Sequence, residues 1–385
     1  MKKFLSTIKW KYYIGYLVIT LALAVTGILS AVNALPNSTL YLLEEITIAL
    51  ILAISLSVVV GFLGELSLGH AGFMCVGAYL GGKFSAVICE KFAVSDSNFA
   101  VFLLSLIAGG ICAAVFGFII GLPALRLKGD YLAIVTLAFG EIIRNIFLNT
   151  SSESFGGALG LPTPRMNKNI LFVFGFLLVL ATLAVVQNLI RSKHGRAITA
   201  IRDNEIAARA TGIDITKYKL LVFVISSAFA GIAGVLYSYT KATVRSEIFD
   251  YNYSIEILVM VVIGGMGNLS GTMLSAAVIT YLNNKLMAVL TGNLAVLQNL
   301  VYALILIGII IYNNAPALKN VREKYNLGTL WAKITKPKKD PAKETDDTGR
   351  WDVVPTKIEM DEVLTVGIIK KDIEASEKKE EGKDE

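Results

Sequence analysis

A succession of apolar runs, each long enough to cross a lipid bilayer as a helix, constrains this chain more than any other feature. They lie at about residues 14–32, 46–63, 72–89, 100–122, 131–148, 170–190 and 219–240. Helices and closed barrels are the structures that pair all their backbone polar groups inside a membrane. Continuous rather than alternating apolar runs favour helices over a barrel. The sequence therefore predicts an all-α polytopic membrane protein.

The distribution of lysine and arginine predicts the orientation and the number of spans. Lysines before the first run place the N-terminus in the cytoplasm. We interpret that run as an uncleaved first span, and a cleaved signal peptide is the alternative. The basic residues after 312 place the C-terminus there too, which requires an odd number of later crossings. We favour three crossings after residue 240, using the broken run 255–281 and the run 295–312. The total is about ten transmembrane helices with Gly-broken segments, although a re-entrant half-helix at 255–267 would change the count.

Composition divides the chain into two parts and excludes some functions. We predict a transmembrane domain over residues 1–334 and, because residues 335–385 are rich in Lys, Glu and Asp, a disordered cytoplasmic tail. A docking motif in the scattered apolar residues of 351–369 is the alternative to a plain disordered tail. The net charge of +6 is typical of positive-inside loops rather than of a nucleic-acid-binding protein. The cysteines and the two histidines have no metal-ligand spacing. Gly77–Phe84 resembles a phosphate loop but ends in Phe84, where a magnesium site needs Ser or Thr, so we predict no nucleotide site.

The basic stretch 191–219 is the one long polar interruption among the apolar runs. Asp203 and Asn204 are good helix N-caps, an alanine-rich segment follows, and Gly212 is a suitable C-terminal stop. This organisation predicts a short cytoplasmic helix that docks into a partner protein. The alternative is a loop that only anchors the topology, but such a loop needs no capped helix.

Two glycine-rich segments are candidates for broken helices along a solute path. In the first, Gly61–Gly72, Glu65 and His70 are ionisable residues in or near an apolar region, which favours a functional role. Close helix packing at the glycines is an equally good interpretation. In the second, Gly264–Asn268, freed amides could bind a carboxylate, or the segment is a simple turn between two spans.

Two further patterns predict structural roles. Glu141 and Arg144 share a helix face and can pair. Such an ion pair in a membrane can line a path or join two helices, and we favour the structural role. The overlapping small residues Ser227, Ala230, Gly231 and Gly234 predict a close helix-packing face without chemistry.

Taken together, these motifs resemble those of LivM-type permease subunits of branched-chain amino acid ABC importers over about residues 45–315. The motifs that carry the resemblance are Gly64–Phe73, Gly129–Ile134, Gly140–Glu141, Gly195–Gly212 and Gly264–Gly267. The basic stretch resembles the coupling loop of such importers, with Ala207, Ala208 and Gly212 at matching spacing. Ile206 stands at the place of the family's usual glutamate, and Glu205 precedes it.

The resemblance implies a heterodimer with a second, LivH-like permease subunit, two ABC ATPase subunits and an extracytoplasmic solute-binding protein. The chain itself would bind no cofactor or metal and would have no catalytic residue, because ATP and magnesium bind to the partner ATPases. We assign ATPase coupling to Gly195, Arg196, Arg202, Asp203, Glu205, Ala207, Ala208 and Gly212. We assign the substrate path to Glu65, Ser67, Gly69, His70, Gly72, Gly264, Gly265 and Gly267.

The sequence therefore favours the membrane-spanning subunit of an importer that carries Leu, Ile and Val into the cytoplasm. The importer would lie in the cell membrane, which in a bacterium is the inner membrane. Related permeases carry urea or short amides. The alternatives from other classes are a secondary transporter or channel that needs no ATPase, and a structural scaffold.

Overall fold

The computed structural model describes residues 20, 36–92, 95, 98–127, 129–289, 303–304 and 307–308. By its internal contacts the chain divides into the units Met1–Leu318 and Lys319–Glu385, and every described residue belongs to the first. Apart from these few positions, the predicted first span, the run 295–312 and the tail 335–385 lie outside the described residues.

Within the described part of the chain, six helices are long and apolar enough to cross a membrane. Their bounds are α1 Asn37–Ser57, α2 His70–Phe92, α3 Phe99–Ala124, α4 Asp130–Asn149, α5 Lys168–Arg191 and α8 Ile215–Thr240. A π-helical turn, Val58–Leu63, extends α1. The other helices of six or more residues in this part of the chain are α6 Lys193–Asp203, α7 Glu205–Ala210, α9 Tyr251–Gly264 and α10 Leu269–Val289. Single helical turns lie at Ser152–Phe155, Gly157–Leu159 and Ser246–Ile248. The predicted all-α polytopic class is confirmed, whereas the count of about ten spans is not.

The first described span begins earlier than the sequence predicted. The hydropathy pattern placed residues 33–45 in an outward loop and started the span at 46, but α1 begins at Asn37. Its opening turns contain Glu44, which is buried at 2% exposure, and Glu45. Hydropathy averaging missed these turns because two adjacent carboxylates dominate the window, although glutamate is a good helix former.

Helix α1 is the most enclosed of the six spans, and α8 packs along α2 and α3 on one side of it. Glycine makes that packing close. A Cβ at Gly77 of α2 would lie 2.1 Å from the carbonyl oxygen of Gly231, and one at Gly234 would lie 2.0 Å from that of Met74. These distances confirm the predicted small-residue packing face on α8. Dispersion contacts between such closely packed backbones hold membrane helices together.

Contacts at the helix ends show the direction of each element. At one end, Lys241 after α8 and Asn284 of α10 both bind Glu45 in the first half of α1. At the other end, Arg202 of α6 and Gly267 approach Gly61 at the close of α1. We call the end that contains α6 and α7 the coupling end. The two-residue strands β1 Leu161–Pro162 and β2 Thr243–Val244 pair in antiparallel fashion in the segments that follow α4 and α8.

The predicted break at Gly264–Asn268 is the turn of an antiparallel helix pair. Helix α9 runs toward the coupling end and α10 returns from it. Gly265 and Gly267 adopt φ values of 91° and 82°, which side chains disfavour. A Cβ at Gly264 would lie 2.4 Å from the Cα of Thr272, so glycine also allows the two helices to meet. The geometry matches the simple-turn interpretation, and the third crossing predicted after residue 240 lies outside the described residues.

Candidate functional site

The basic stretch folds into two capped helices. Ser192 Oγ accepts hydrogen bonds from the backbone of His194 and Gly195 at the start of α6. Asn204 Oδ1 accepts from the amides of Ile206 and Ala207, both at 3.0 Å, and starts α7. The predicted cap at Asn204 is confirmed, and Asp203 instead ends α6.

The end of α7 also follows the sequence expectation. Gly212 has a φ of 84°, and the amide of Ile213 bonds to the carbonyl of Ala208 at 3.2 Å, which closes a glycine-type C-cap. Because Asn204 adopts an extended conformation (φ −159°), the basic stretch 191–219 contains two helices that meet at a corner, where the sequence predicted one short helix.

Helix α7 presents a distinct outward face. Ile206 is 81% exposed, Ala207 is exposed, and the Arg209 side chain is 71% exposed. Ala208 faces inward at 4% exposure. Of the alanines that were predicted to admit a partner surface, Ala207 is therefore available and Ala208 packs against the protein's own interior.

Helix α6 is fixed to the bundle by a tight corner. Ile198 and Ile201 are buried, and a Cβ at Gly195 would lie 2.0 Å from the carbonyl oxygen of Ile190. Arg196 lies on the exposed side. Gly195 is thus needed for the close turn from α5 into α6, whatever its part in coupling.

The segment between α1 and α2 is the predicted interruption. The π-helical turn of α1 ends at Gly64, with a φ of 81°, and residues 64–69 are not helical. The amide of Leu68 donates to Thr136 Oγ1 of α4 at 3.0 Å. A Cβ at Gly69 would lie 2.5 Å from the Thr136 carbonyl oxygen, and one at Gly72 would lie 2.6 Å from the Cα of Gly140. These two glycines therefore serve close packing against α4.

His70 lies inside the packed bundle. It is 2% exposed, and its Nε2 is 2.8 Å from Ser55 Oγ of α1. The neighbouring Ala71 amide donates to Ser254 Oγ of α9 at 3.1 Å, and Ser67 is also buried. In this conformation His70 joins the interrupted segment to α1, and its role in a solute path stays a prediction.

A buried lysine joins the interrupted segment to α7. Lys219, in the second turn of α8, has a side chain only 4% exposed. Its Nζ contacts the carboxylate of Glu65 and lies 3.2 Å from Glu205 Oε2. Glu205 also pairs with Arg209 at 3.2 Å. An ammonium group removed from water is stable only with such partners, so Lys219 fixes the position of Glu65 relative to α7.

Arg202 makes a second connection. Its Nη1 donates to the carbonyl oxygen of Gly61 at 3.0 Å, and its Nε and Nη2 bind Asp203 Oδ1. Carbonyl groups in the last turn of a helix lack intrahelical partners and carry partial negative charge, so a guanidinium group there is favourable. Gly267 lies against both groups, because its added Cβ would be 3.5 Å from Arg202 Nη1 and from the Gly61 carbonyl oxygen.

The predicted pair on α4 is also present. Arg144 Nε lies 2.9 Å from Glu141 Oε2, and Glu141 Oε1 accepts the amide of Tyr251 at 3.1 Å. The pair therefore fixes the start of α9 against α4, which confirms the helix-staple interpretation.

Comparison with known proteins agrees with this arrangement. A family model described as "Branched-chain amino acid transport system / permease component" matches residues 38–312, most of the chain. The chain belongs to this permease family. It is 37% identical over 273 residues to the high-affinity branched-chain amino acid transport system permease protein LivM of Salmonella typhimurium, and 36% identical to that of Escherichia coli. Each alignment covers 62% of this chain and 61% of the relative.

The chain is also similar to a permease named for another solute. The ribose import permease protein RbsC of Escherichia coli is 28% identical over 165 residues, covering 41% of this chain and 47% of that protein. Family membership and the six apolar helices show that the permease is a multi-pass membrane protein.

The structure brings some members of the two predicted sets of site residues together at the coupling end, whereas Arg196, Ala207 and Gly212 lie apart from the predicted substrate path. Glu65 and Gly64 lie beside residues of α6 to α8, and the turn Gly264–Gly267 lies beside Arg202. Sequence reasoning missed Lys219 as a participant. The available signal was a lysine in the second turn of an apolar span, where a charge is expensive without a partner.

Proposed function

We propose that the permease is the membrane-spanning half of an ABC importer that moves branched-chain amino acids into the cytoplasm. Its partners are a second, LivH-like permease subunit, two ABC ATPase subunits that bind ATP and magnesium, and an extracytoplasmic solute-binding protein. The complex lies in the cell membrane, in a bacterium the inner membrane, with both termini of this chain in the cytoplasm. The observation that carries the proposal is the pair of capped helices α6 and α7, whose exposed face adjoins a buried link to the bundle.

The exposed face of α7 is suited to docking in a partner. Ile206 has a large, exposed apolar side chain, and the small side chain of the exposed Ala207 allows another protein surface to approach closely. Helices commonly bind a partner protein by placing their exposed apolar side chains in a groove of that partner. We infer that this face seats in the ATPase subunit.

The buried ion pairs of Lys219 with Glu65 and Glu205 connect α7 mechanically to the bundle. When the ATPase subunits approach each other, the displacement of α7 reaches Lys219 through Glu205 and then Glu65. Arg202 carries the displacement of α6 to the end of α1 through the carbonyl of Gly61. The first connection ends on the interrupted segment between α1 and α2, and the second ends on the π-helical turn that precedes it. Residues 64–69 are not helical, so this junction is the part of the bundle that we expect to change conformation.

Ala207→Arg tests the docking surface. The change keeps a good helix former on an exposed site, so the permease should assemble normally while the long charged side chain prevents close approach. We expect ATP-driven leucine uptake in proteoliposomes and co-purification of the ATPase subunits to fall at least tenfold. Leu159→Arg is the matched control, since Leu159 is 76% exposed outside the coupling helices. Normal uptake in the Ala207→Arg variant, or uptake by the permease subunits without ATPase, would overturn the proposal.

A further inference from the structure

Helices α3 and α4 are the least enclosed of the six spans, and each exposes one face along its length. Every exposed residue of α3 is apolar, as contact with lipid requires. The outward face of α4 is different, because it combines apolar and polar residues. It runs from Tyr131 to Asn149, and its polar members are Glu141, Arg144, Asn145 and Asn149.

The charged members of this face lie at membrane depth. Helix α4 has 20 residues and is about 30 Å long, which matches the hydrocarbon core of a bilayer. Glu141 and Arg144 lie about 17–21 Å along it from the coupling end. The start of α9 lies at the same depth, because Glu141 Oε1 accepts the amide of Tyr251. Charged groups at this depth are too costly to face lipid, so they require protein or water beside them.

Arg144 retains hydrogen-bonding capacity on this face. Its Nε binds Glu141 Oε2 at 2.9 Å, and among the described residues no group pairs with its two Nη atoms. The Arg144 side chain is 24% exposed, and none of the buried, unpaired polar side-chain atoms in the described part of the chain belongs to it. The Nη atoms are therefore accessible from outside the bundle. A guanidinium group has five N–H donors, so four remain for a further acceptor.

The mixed composition of the outward face fits another protein surface better than lipid or water. Ile134 and Ile142 are 60% and 58% exposed on the same face as Asn145. Large apolar side chains are unfavourable along an aqueous wall, and unpaired polar groups are unfavourable in lipid. Two membrane helices that pack together accommodate both, through apolar contacts and interhelical hydrogen bonds. The small, exposed Ala138 between the two isoleucines allows close approach.

We propose that the outward face of α4 is the surface on which the second permease subunit packs. A membrane-spanning helix of that subunit lies along α4 and presents a carboxylate or carbonyl oxygen to the Nη atoms of Arg144. Asn145 bonds to the same helix through its side-chain oxygen, because its Nδ2 donates to the Glu141 carbonyl within α4. The assignment rests on the proposed function for the existence of the second subunit, and it adds the face that binds it.

Photocrosslinking in the complete complex of permease and ATPase subunits tests this surface. A benzoylphenylalanine residue replaces Ile142 of α4 in one variant and Ile111 of α3 in the other. The two isoleucines are both 58% exposed and both lie about 18–20 Å from the coupling end, so they differ mainly in the face they occupy. We expect the Ile142 variant to crosslink to a membrane span of the second permease subunit and the Ile111 variant to give no protein crosslink.

Asn145→Leu tests the polar part of the surface. Leucine is the more favourable residue in lipid, so a lipid-facing position predicts unchanged or tighter assembly. Packing on the second subunit predicts weaker association, by about threefold to tenfold in Kd, the effect of one hydrogen bond between membrane helices. Dilution of the detergent-solubilised complex measures this Kd. Asn188→Leu is the matched control, since Asn188 is an exposed asparagine on α5, and it should leave the Kd unchanged.

Several outcomes would contradict the assignment. They are crosslinks from the Ile142 variant to lipid alone, to this chain or to a second copy of it, equal crosslinking by the two variants, and an unchanged Kd for Asn145→Leu. If the wild-type complex contains the second permease subunit and takes up leucine, such a result rejects the α4 surface alone. If no second permease subunit co-purifies with the wild type, the proposed function fails as well.

Discussion

Lys219 is the residue on which the coupling end depends most. Its ammonium group is almost fully buried and has two carboxylate partners, one from the interrupted segment and one from α7. Burying charges costs free energy that only complete pairing offsets, so the network is a strict geometric constraint more than a source of net stability. Its value to the protein lies in holding Glu65 and Glu205 at fixed positions.

Lys219→Met should therefore be strongly destabilising, by about 3–5 kcal/mol, because two carboxylates lose their shared cation. The triple variant Lys219→Met, Glu65→Gln, Glu205→Gln removes all three charges, and we expect it to regain most of the lost thermal stability. ATP-driven uptake should remain low in both variants if the network carries movement. Thermal unfolding in detergent and uptake in proteoliposomes measure the two effects. Normal uptake in the triple variant would show that the network is only structural.

At the scale of helices, close approach of α2 and α4 positions the interrupted segment. Glycine faces glycine where they cross, but the two positions are not equivalent. An added Cβ at Gly72 would lie 2.6 Å from the Cα of Gly140, whereas one at Gly140 would meet Gly69 Cα at an ordinary 3.7 Å. The backbone offers no flexible atom that can move away from the Gly72 substitution.

We expect Gly72→Ala to destabilise the permease by about 1–3 kcal/mol, the usual cost of overpacking. Gly140→Ala is the matched control and should be neutral or stabilising by up to about 1 kcal/mol, because alanine is the better helix former. Denaturant or thermal unfolding of the purified variants compares them. Equal effects of the two substitutions would contradict the crossing geometry.

At the scale of the whole molecule, the fold exposes two large apolar side chains at opposite ends of the bundle. Ile206 on α7 is 81% exposed and Leu159, in the segment between α4 and β1, is 76% exposed. Helix α4 runs away from the coupling end, so the two residues should lie on opposite sides of the membrane. The proposed orientation places Leu159 outside the cell and Ile206 in the cytoplasm.

Labelling of single cysteines tests this orientation. In a background in which Cys75, Cys89 and Cys112 are replaced, a membrane-impermeant maleimide should label Leu159→Cys in intact cells. It should label Ile206→Cys only after permeabilisation or in inside-out vesicles. The reverse pattern would show the inverse orientation, and labelling of both from one side would contradict the helix directions themselves.

The sequence by itself determined the features that depend on local interactions. Apolar runs marked the described spans, because a helix in lipid needs about 20 apolar residues regardless of its neighbours. The exception was the start of α1, which was predicted too late in the chain. Asn204 and Gly212 marked the ends of α7 because caps act on backbone groups within a few residues. The pair Glu141–Arg144 followed from helical spacing alone.

Only the tertiary structure decided which distant groups meet. Glu65 and Lys219 are 154 residues apart, and Glu45 and Asn284 are 239 apart, so no local pattern relates them. It also decided that Gly69 and Gly72 serve packing and that Gly264–Gly267 is a turn beside Arg202. The physical reason is that a buried charge requires a partner of opposite charge and a glycine at a helix crossing allows close approach. Only the packing of whole helices determines which group becomes the partner and which backbone approaches.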